Sequence, residues 1–161
     1  MTDSESESDA IIRIREELED IENDPLTDLG CDLCLVDENN YFLWEGMIQG
    51  PEDTPYRGAF LYFTIEFPKD FPSKRPEFKF TNKDMYHLNV NVDGHVCISI
   101  LNNWNSKTKV RQIIYAIFTI LYEQNPESSY HSDMAKLYKE NRNQFNQNII
   151  DWVKKNALTI K

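Results

Sequence analysis

An alternating stretch near the middle of the chain constrains the fold more than any other feature of the sequence. From Leu61 to Phe67 every second residue is large and apolar, and the residues between them are more polar, Glu66 among them. Such alternation is typical of a strand in a sheet that packs one face on the core and leaves the other wetter. We therefore predict a strand over residues 59–67, in a sheet whose inner face must be covered by helices.

Three similar runs, residues 31–36, 41–49 and 77–81, are separated by turn residues and predict three further strands in an antiparallel meander. Apolar stripes at helical spacing predict four helices: one from an N-cap at Ser8 or Asp9 to just before Asn23, and others over residues 108–123, 131–140 and 142–156. Residues 82–107 show no sustained periodicity. The predicted class is α+β: an N-terminal helix, a four-stranded antiparallel meander sheet, an irregular loop that we expect to carry the function, a central helix and two C-terminal helices.

The chain has 161 residues, of which 40% are hydrophobic, which suffices for one core. We predict a disordered acidic tail over residues 1–8, because this stretch has almost no apolar side chain to bury, and a single domain over residues 9–161. No run approaches the roughly 18 apolar residues of a membrane span, and the start of the chain is acidic rather than basic and then apolar. We expect a soluble, intracellular protein that does not associate with membranes.

Negative charge is concentrated at one end of the chain. The net charge is −10, and residues 1–24 hold ten acidic residues and two arginines, so they contribute −8 and the remainder contributes −2. Without a basic stripe to neutralise phosphates, we expect no nucleic acid ligand. A basic surface on a protein partner would suit the acidic end, although the same charge could serve only solubility.

Three cysteines, Cys31, Cys34 and Cys97, make an odd number, which argues against a disulfide framework and for a reducing compartment. Cys31 and Cys34 form a C-x-x-C pair, which could indicate redox or zinc chemistry, but a second pair is missing. We interpret them as two small core residues on one strand. Asp93-Gly94 lies near other polar residues without the full calcium-loop pattern, so we predict no metal site.

The segment before Cys97 contains the triplet His87-Leu88-Asn89, with the asparagine eight residues before the cysteine and Gly94 three before it. This arrangement resembles the active-site signature of ubiquitin-conjugating enzymes, in which a His-Pro-Asn triplet precedes the catalytic cysteine by a fixed interval. Here Leu88 replaces the proline, which frees a backbone N–H and relaxes a local φ restraint, so we expect a less rigid loop.

The resemblance extends over most of the chain, from about Asp9 to the last helix. Residues 44–58 are similar to the family's stretch of Trp, Gly-Pro and Thr-Pro-Tyr-x-Gly, and residues 67–76 to its proline-rich turn. Downstream, Trp104 and the pair Asn125-Pro126 also match. Several separate motifs in the right order make the resemblance specific.

The resemblance implies that Cys97 is a nucleophile that carries ubiquitin, or a relative of it, as a thioester. A thioester stores an activated acyl group yet reacts readily with an amine. Residues 88–106 contain no Lys or Arg that would stabilise the thiolate, but a modest nucleophile suffices when its substrate arrives already activated. Asn89 would donate a hydrogen bond to the oxyanion formed when a lysine attacks. Alternatively its amide fixes the surrounding loop, and the two roles are compatible.

The family also places an acidic or hydroxyl residue after Asn-Pro, where it helps the incoming lysine to lose its proton. By position this residue is Ser128, with Glu127 beside it. We expect two residues to form the active-site scaffold. Tyr86 would shape the loop, and His87 would be hydrogen-bonded rather than act as a base, because no acidic partner that could orient it is evident.

Six further residues correspond to partner-facing positions of the family: Ser73, Lys74, Ser106 and Lys107 on the ligase-facing surface, and Gln112 and Tyr115 where the donor modifier would fold back. The ligase-facing positions lack the usual aromatic residue and Ser-Pro-Ala sequence, so common ligases would lose apolar anchor area. The acidic first helix, with only Arg13 and Arg15, also departs from the usual basic surface for the activating enzyme. Tyr115 could instead be a core aromatic.

We therefore predict a ubiquitin-conjugating enzyme that accepts ubiquitin from an activating enzyme on Cys97 and transfers it to lysines of protein substrates, usually with a ubiquitin ligase. It would need no bound cofactor, since ATP is used by the upstream enzyme, and would be a monomer in the cytoplasm, the nucleus or both. Short matches in residues 113–115 and 141–148 leave another modifier such as NEDD8 as an alternative. A non-catalytic adaptor of the same fold is a second alternative. A thiol protease would need a histidine placed as a base, and none shows a familiar arrangement.

Overall fold

The computed structural model describes residues 3–158, with side chains described from residue 7 onward. Five helices, four strands and two short 3-10 helices follow one another along this part of the chain. In order, these are α1 (Asp3–Asn23), a 3-10 helix (Thr27–Leu29), β1 (Cys31–Asp37), β2 (Asn40–Gln49), β3 (Phe60–Glu66), β4 (Glu77–Phe80), α2 (Ser99–Asn102), α3 (Val110–Tyr122), a second 3-10 helix (Pro126–Ser128), α4 (Ser132–Glu140) and α5 (Arg142–Asn156). The predicted α+β architecture is confirmed.

The four strands form one antiparallel sheet in the order β1-β2-β3-β4, as predicted for a meander. On β3 the buried residues Leu61, Phe63 and Ile65 alternate with half-buried ones, so the alternating run does pack one face inward. Ile65 pairs with Trp44 on β2 and Phe78 on β4, which stacks these large side chains in one layer of the core.

The central helix α3 closes the other side of the core. Its residues Val110, Ile113, Ile114, Ile117 and Leu121 are buried and belong to the same cluster as the inner face of the sheet. The stripe fits the i, i+3, i+4, i+7 spacing of a helix with one buried face. The central helix predicted over residues 108–123 is confirmed, with ends that lie within two residues of those expected.

The first helix begins earlier than predicted, at Asp3 rather than after an N-cap at Ser8 or Asp9. Acidic residues suit the first turns of a helix, because the unpaired N–H groups there carry partial positive charge. The predicted tail of residues 1–8 thus overlaps the helix from Asp3 onward, while residues 1–2, and residues 159–161 at the other end of the predicted domain, lie outside the described residues. The division into a tail and a domain stays a prediction.

One acidic residue of α1, Glu17, lies on the buried side of the helix. Glu17 is only 3% exposed, because its position falls within the stripe that also holds Ile14 and Ile21. Its carboxylate accepts hydrogen bonds from Arg13 at 2.9 Å and from the N–H of Val110, the first residue of α3, at 3.3 Å. This buried carboxylate therefore ties α1 to the start of the central helix.

The interpretation of Cys31 and Cys34 as two core residues is wrong for one of them. Cys31 is buried, and burial raises the pKa of its thiol to about 12. Cys34 is exposed and its sulfur lies 3.9 Å from the carboxylate of Glu45. Residues three apart on a strand point to opposite faces, so the two thiols cannot share a layer. All three cysteines are free.

Candidate active site

Two segments lie side by side and form the floor of the site. Residues 86–90 are hydrogen-bonded to residues 120–131, which run from the last residues of α3 to the start of α4. The carbonyl of Leu88 accepts the N–H of Tyr130 at 2.9 Å, and a ring nitrogen of His131 lies 2.7 Å from the carbonyl of Val90. We call this pair of segments the seam. It holds the predicted triplet next to the loop after Asn125-Pro126.

The Asn89 side chain is the central link of the seam. It is 1% exposed, its oxygen accepts the N–H of Asn125 at 2.9 Å, and its nitrogen donates to the carbonyls of Asn125 at 2.8 Å and Ser128 at 3.1 Å. The orientation of this amide is unambiguous, because a backbone N–H can only donate and a carbonyl can only accept. Both N–H groups are engaged, so the amide fixes the loop; oxyanion donation by Asn89 stays a prediction.

His87 is fully buried and both of its ring nitrogens are occupied. Nδ1 accepts the N–H of Asn89 at 2.9 Å, so the proton of the neutral ring sits on Nε2, which donates to the carbonyl of Ile120 at 2.8 Å. Burial lowers the pKa of His87 to about 4, the bond to Ile120 opposes this shift, and His131 adds to it. A neutral ring held at both ends suits the scaffold role predicted for His87 and not that of a base.

The backbone N–H freed by the missing proline is held by a side chain, whereas the lower rigidity expected of this loop stays a prediction. Leu88 is 0% exposed, and its N–H donates to Oε1 of the buried Gln124 at 2.8 Å. The amide nitrogen of Gln124 donates in turn to the Tyr56 hydroxyl at 3.0 Å, and that hydroxyl donates to the carbonyl of Tyr86. The N–H that a proline would lack is therefore satisfied inside the protein.

Tyr86 anchors the near end of the seam to the last helix. Its ring packs 5.3 Å from that of Phe145, and its hydroxyl accepts a hydrogen bond from Asn148 at 3.1 Å. The indole of Trp152, also on α5, donates to the carbonyl of Lys83 at 2.9 Å. These contacts fit the loop-shaping role predicted for Tyr86.

Cys97 lies beside Asn89 because the intervening loop folds as a hairpin. The N–H of Cys97 donates to the carbonyl of Asn89 at 2.9 Å, and Val90 pairs with Val96. Gly94 turns the loop with a φ of +92°, and a Cβ there would lie 2.0 Å from the carbonyl oxygen of Phe80. The eight-residue spacing between Asn89 and Cys97 is thus the length of this hairpin, and only glycine fits at its turn.

The thiol of Cys97 is half-buried and faces polar neighbours that we did not predict. The side-chain nitrogen of Asn102, at the end of the short helix α2, lies 3.3 Å from the sulfur. Partial burial and the adjacent Cys97 thiol raise the pKa of Tyr130, whereas the Arg75 guanidinium lowers it. Arg75, Asn102 and Tyr130 line a groove of about 280 Å³ beside the thiol.

Ser128 is exposed at the end of the second 3-10 helix, and its hydroxyl accepts a long hydrogen bond from the Asn125 side chain at 3.3 Å. Its backbone carbonyl is one of the two held by Asn89. Glu127, beside it, is exposed and forms an ion pair with Lys139 at 3.1 Å. The structure therefore brings Ser128 to the predicted loop, whereas its role toward a lysine stays a prediction.

The four predicted ligase-facing residues are exposed, on two loops that the structure joins. The indole of Trp104 donates to the carbonyl of Pro72 at 2.8 Å and so connects the loop of Ser73 and Lys74 with that of Ser106 and Lys107. The structure therefore links the two loops that carry these residues, whereas their role toward a ligase stays a prediction.

Arg13 of α1 donates to the carbonyls of Ser106 and Thr108 in addition to Glu17, while the Arg15 guanidinium lies 5.6 Å from the centre of the Tyr41 ring. The two arginines of the first helix therefore have intramolecular partners. Their engagement fits the expectation that α1 lacks the usual basic surface for an activating enzyme.

Both residues predicted to face the donor modifier are exposed on α3. Tyr115 is 42% exposed, which rules out the core alternative, and its hydroxyl lies 3.3 Å from the Asp28 carboxylate, which raises the pKa of the phenol. The Gln112 side chain accepts the N–H of Lys109 at 2.7 Å and so caps the helix. Gln112 thus has a structural task in the free protein.

Over residues 3–158, no cluster of three or more His, Cys, Asp or Glu side chains is arranged to bind a metal ion. In the same part of the chain, no helix combines the length and apolar character needed to cross a membrane.

Comparison with known proteins decides the family. The model of the ubiquitin-conjugating enzyme family matches residues 13–153, which include the sheet, the seam and Cys97. This chain is a member of the ubiquitin-conjugating enzyme family.

This conjugating-enzyme family member is similar to a solved structure that is described as a "putative ubiquitin conjugating enzyme from Plasmodium yoelii". The two share 32% sequence identity with a TM-score of 0.82, over 94% of this chain and 97% of the other. The match therefore covers nearly the full length of both chains.

The sequence did not reveal Arg75, Asn102 and Tyr130 near the cysteine of this conjugating-enzyme family member, nor Gln124, which binds Leu88 of the triplet. Asn102 follows Cys97 by five residues, which would have signalled proximity had the one-turn helix α2 been predicted. Gln124 and Tyr130 reach the site only because the seam joins two distant segments, and no local pattern marks such a contact.

Proposed function

We propose that Cys97 accepts ubiquitin as a thioester from an activating enzyme and passes it to lysine side chains of protein substrates, usually together with a ubiquitin ligase. The observation that carries this proposal is the placement of Cys97: a half-buried cysteine whose N–H is held by Asn89 and whose sulfur contacts Asn102, a residue that lines a surface groove, within the fold of the conjugating-enzyme family. The neutral, fully engaged His87 does not favour a protease, which would need a histidine base.

In the first step, the Cys97 thiolate attacks the carbonyl of the activated thioester, and the thiolate of the activating enzyme leaves. In the second, a lysine amine attacks the new thioester, an isopeptide bond forms, and Cys97 leaves as a thiolate. The amine must give up a proton during this step. Ser128, on the loop held by Asn89, is the residue that we assign to assist this proton loss.

Asn89 supports this chemistry through the seam. Its amide holds the carbonyls of Asn125 and Ser128 while its own carbonyl holds the N–H of Cys97. One side chain and its backbone thus fix both the nucleophile and the loop over which a lysine would approach. Such placement raises the reaction rate, because a misplacement of about 1 Å can lower the rate roughly 10²-fold.

Ubiquitin is the modifier we assign, with NEDD8 or another relative as the alternative. The proposed enzyme works as a monomer in the cytoplasm or nucleus, holds no cofactor of its own and depends on the ATP used by the activating enzyme. The exposed surface around Trp104 would receive the ligase, and the exposed face of α3 near Tyr115 would receive the donor modifier.

A charging assay tests this proposal and chooses among modifiers. The protein is incubated with ATP and matched pairs of activating enzyme and modifier, for ubiquitin and for NEDD8, and resolved on a non-reducing gel. The proposal expects a thiol-sensitive adduct with the ubiquitin pair. An adduct with the NEDD8 pair only would replace the modifier, and measurable ubiquitin affinity without any adduct would favour the adaptor of the same fold.

A further inference from the structure

Polar burial is concentrated beneath Cys97. In the described part of the chain, four polar or charged residues are buried: Glu17, His87, Asn89 and Gln124. Three of them belong to the seam. Burying an amide or an imidazole is unfavourable unless each of its polar atoms is hydrogen-bonded. His87 and Asn89 belong to the triplet already described, whereas Gln124 lies outside it, so its burial calls for a separate explanation.

All polar groups of the Gln124 side chain have partners, and the identity of those partners fixes its orientation. Leu88 N–H, a donor only, approaches Oε1 at 2.8 Å, so Nε2 must face the Tyr56 hydroxyl at 3.0 Å. That hydroxyl accepts from Gln124 because its own proton is donated to the carbonyl of Tyr86. The backbone carbonyl of Gln124 also receives the Tyr138 hydroxyl, at 3.4 Å.

Through these contacts Gln124 holds both neighbours of His87. It binds the N–H of the following residue, Leu88, directly, and it holds the carbonyl of the preceding residue, Tyr86, through the Tyr56 hydroxyl. Leu88 is fully buried, so water cannot replace Gln124 as the partner of its N–H. A proline at position 88 would have no N–H and would need no such partner. Gln124 and Leu88 are therefore a matched pair.

We infer that Gln124 is a positioning residue for the reaction at Cys97, a role that rests on the proposed function. Gln124 touches neither the thiol nor the groove. It fixes Leu88, the neighbour of Asn89, and the carbonyl of Asn89 in turn holds the N–H of Cys97 at 2.9 Å. The pair of Leu88 and Gln124 thereby does with a hydrogen bond what a proline would do with a restrained φ.

The experiment is a double-mutant cycle on the full chain with Gln124→Leu, Leu88→Pro and the two combined. Charged enzyme is mixed with free lysine at increasing concentration, well below the unfolding midpoint of each variant, and its single-turnover discharge is followed. Gln124→Leu leaves a buried N–H unpaired and should reduce the maximal discharge rate by roughly 10- to 100-fold. The combined variant should recover to within about threefold of wild type, because neither partner then remains unpaired.

Gln147→Leu is the matched control, since Gln147 is exposed on α5 and its amide contacts only the neighbouring turn, at Asp151. It should discharge as fast as wild type. The inference is overturned if Gln124→Leu lowers the melting temperature without slowing maximal discharge, because the glutamine would then serve stability alone. It is also overturned if the two single effects simply add in the combined variant.

Amide hydrogen exchange at Leu88 gives a readout that needs no modifier and covers the case in which Leu88→Pro does not fold. Exchange at this N–H should be at least about tenfold faster in Gln124→Leu than in wild type, whereas Gln147→Leu should leave it unchanged. Equal exchange in Gln124→Leu and wild type would overturn the inference. If wild type accepts no modifier, the proposed function fails, and this exchange measurement still decides whether Gln124 holds residues 87–89.

Discussion

The side-chain nitrogen of Asn102 lies 3.3 Å from the sulfur of Cys97, at the far end of the single turn of helix that follows the cysteine. An N–H group at this distance stabilises a thiolate more than a thiol, because a hydrogen bond to a charged atom is the stronger one. Residues 88–106 contain no Lys or Arg. Asn102 is therefore a hydrogen-bond donor that this segment offers to the Cys97 sulfur.

Replacing Asn102 by alanine should slow alkylation of Cys97 by iodoacetamide at neutral pH by roughly three- to tenfold, equivalent to about 1 kcal/mol for one such bond at an exposed site. The rate is measured in a Cys34→Ser background, since the exposed Cys34 thiol would also react. Asn103→Ala, an exposed neighbour, is the control and should react like the parent. Equal rates for Asn102→Ala and the parent would show that the contact does not activate the thiol.

Asn89→Ala should reduce the free energy of unfolding by about 1–3 kcal/mol, because the variant leaves the N–H of Asn125 and two carbonyls without their partner. Urea titration followed by tryptophan fluorescence measures this change. Asn143→Ala, at an exposed position on α5, should change the free energy by less than about 0.5 kcal/mol. If Asn89→Ala were as stable as Asn143→Ala, the amide could not be holding the loop.

His87 makes the stability depend on pH in a defined direction. The pKa of His87 is about 4 in the folded protein, below the ordinary value of 6.5. Between pH 4 and pH 6.5 the imidazole is therefore protonated in the unfolded chain and mostly neutral in the folded protein. Its contribution to stability is therefore fully present at neutral pH and is lost as the pH falls from 6.5 toward 4. The loss at pH 4.5 relative to pH 7 should be about 2–3 kcal/mol.

Urea titrations at both pH values, compared with the same titrations of His87→Gln, isolate this contribution from that of the carboxylates. The variant should show a smaller loss on acidification than wild type. Asn143→Ala, which changes an exposed side chain that does not titrate, should keep the wild-type dependence. Identical pH dependence in wild type and His87→Gln would mean that the ring is protonated as readily in the folded protein as in the unfolded one.

Glu17→Ala should destabilise the fold by about 1–3 kcal/mol, since it removes the acceptor of the buried Val110 N–H and the partner of Arg13. Thermal and urea unfolding measure the effect. Glu22→Ala deletes an exposed carboxylate of the same helix and should cost less than about 0.5 kcal/mol. Similar losses for both variants would contradict the link between α1 and α3.

Elements with one buried face could be predicted from the sequence, because burial leaves a period of two on β3 and a period near 3.6 on α3. Elements of one turn could not, since α2 and the 3-10 helix at Pro126–Ser128 are too short to show any period. The odd spacing of Cys31 and Cys34 on one strand does predict that they point to opposite faces, although we had interpreted both as core residues. The burial of Glu17 could also be predicted from its place in the apolar stripe, although its charge favours an exposed position.

Within the site, residues near the motif were found from the resemblance, and their contacts were not. The spacing of Asn89 and Cys97 was visible, whereas the engagement of the Asn89 amide depends on where the chain returns thirty-six residues later, at Asn125. The contact between Gln124 and Leu88 also joins distant segments, and in the sequence Leu88 is notable only because it replaces the family's proline. Contacts between distant segments are set by the packed core, which no local pattern describes.

Intact-mass spectrometry of the charged protein tests the central claim most directly. After incubation with activating enzyme, ubiquitin and ATP, wild type and Cys34→Ser should each gain the mass of one ubiquitin less one water, and a thiol reductant should reverse the gain. Cys97→Ser should form an ester that resists the reductant, and Cys97→Ala should gain nothing. An adduct that survives in Cys97→Ala, or no adduct on wild type with any pair of activating enzyme and modifier, would contradict the assignment of Cys97 as the acyl carrier.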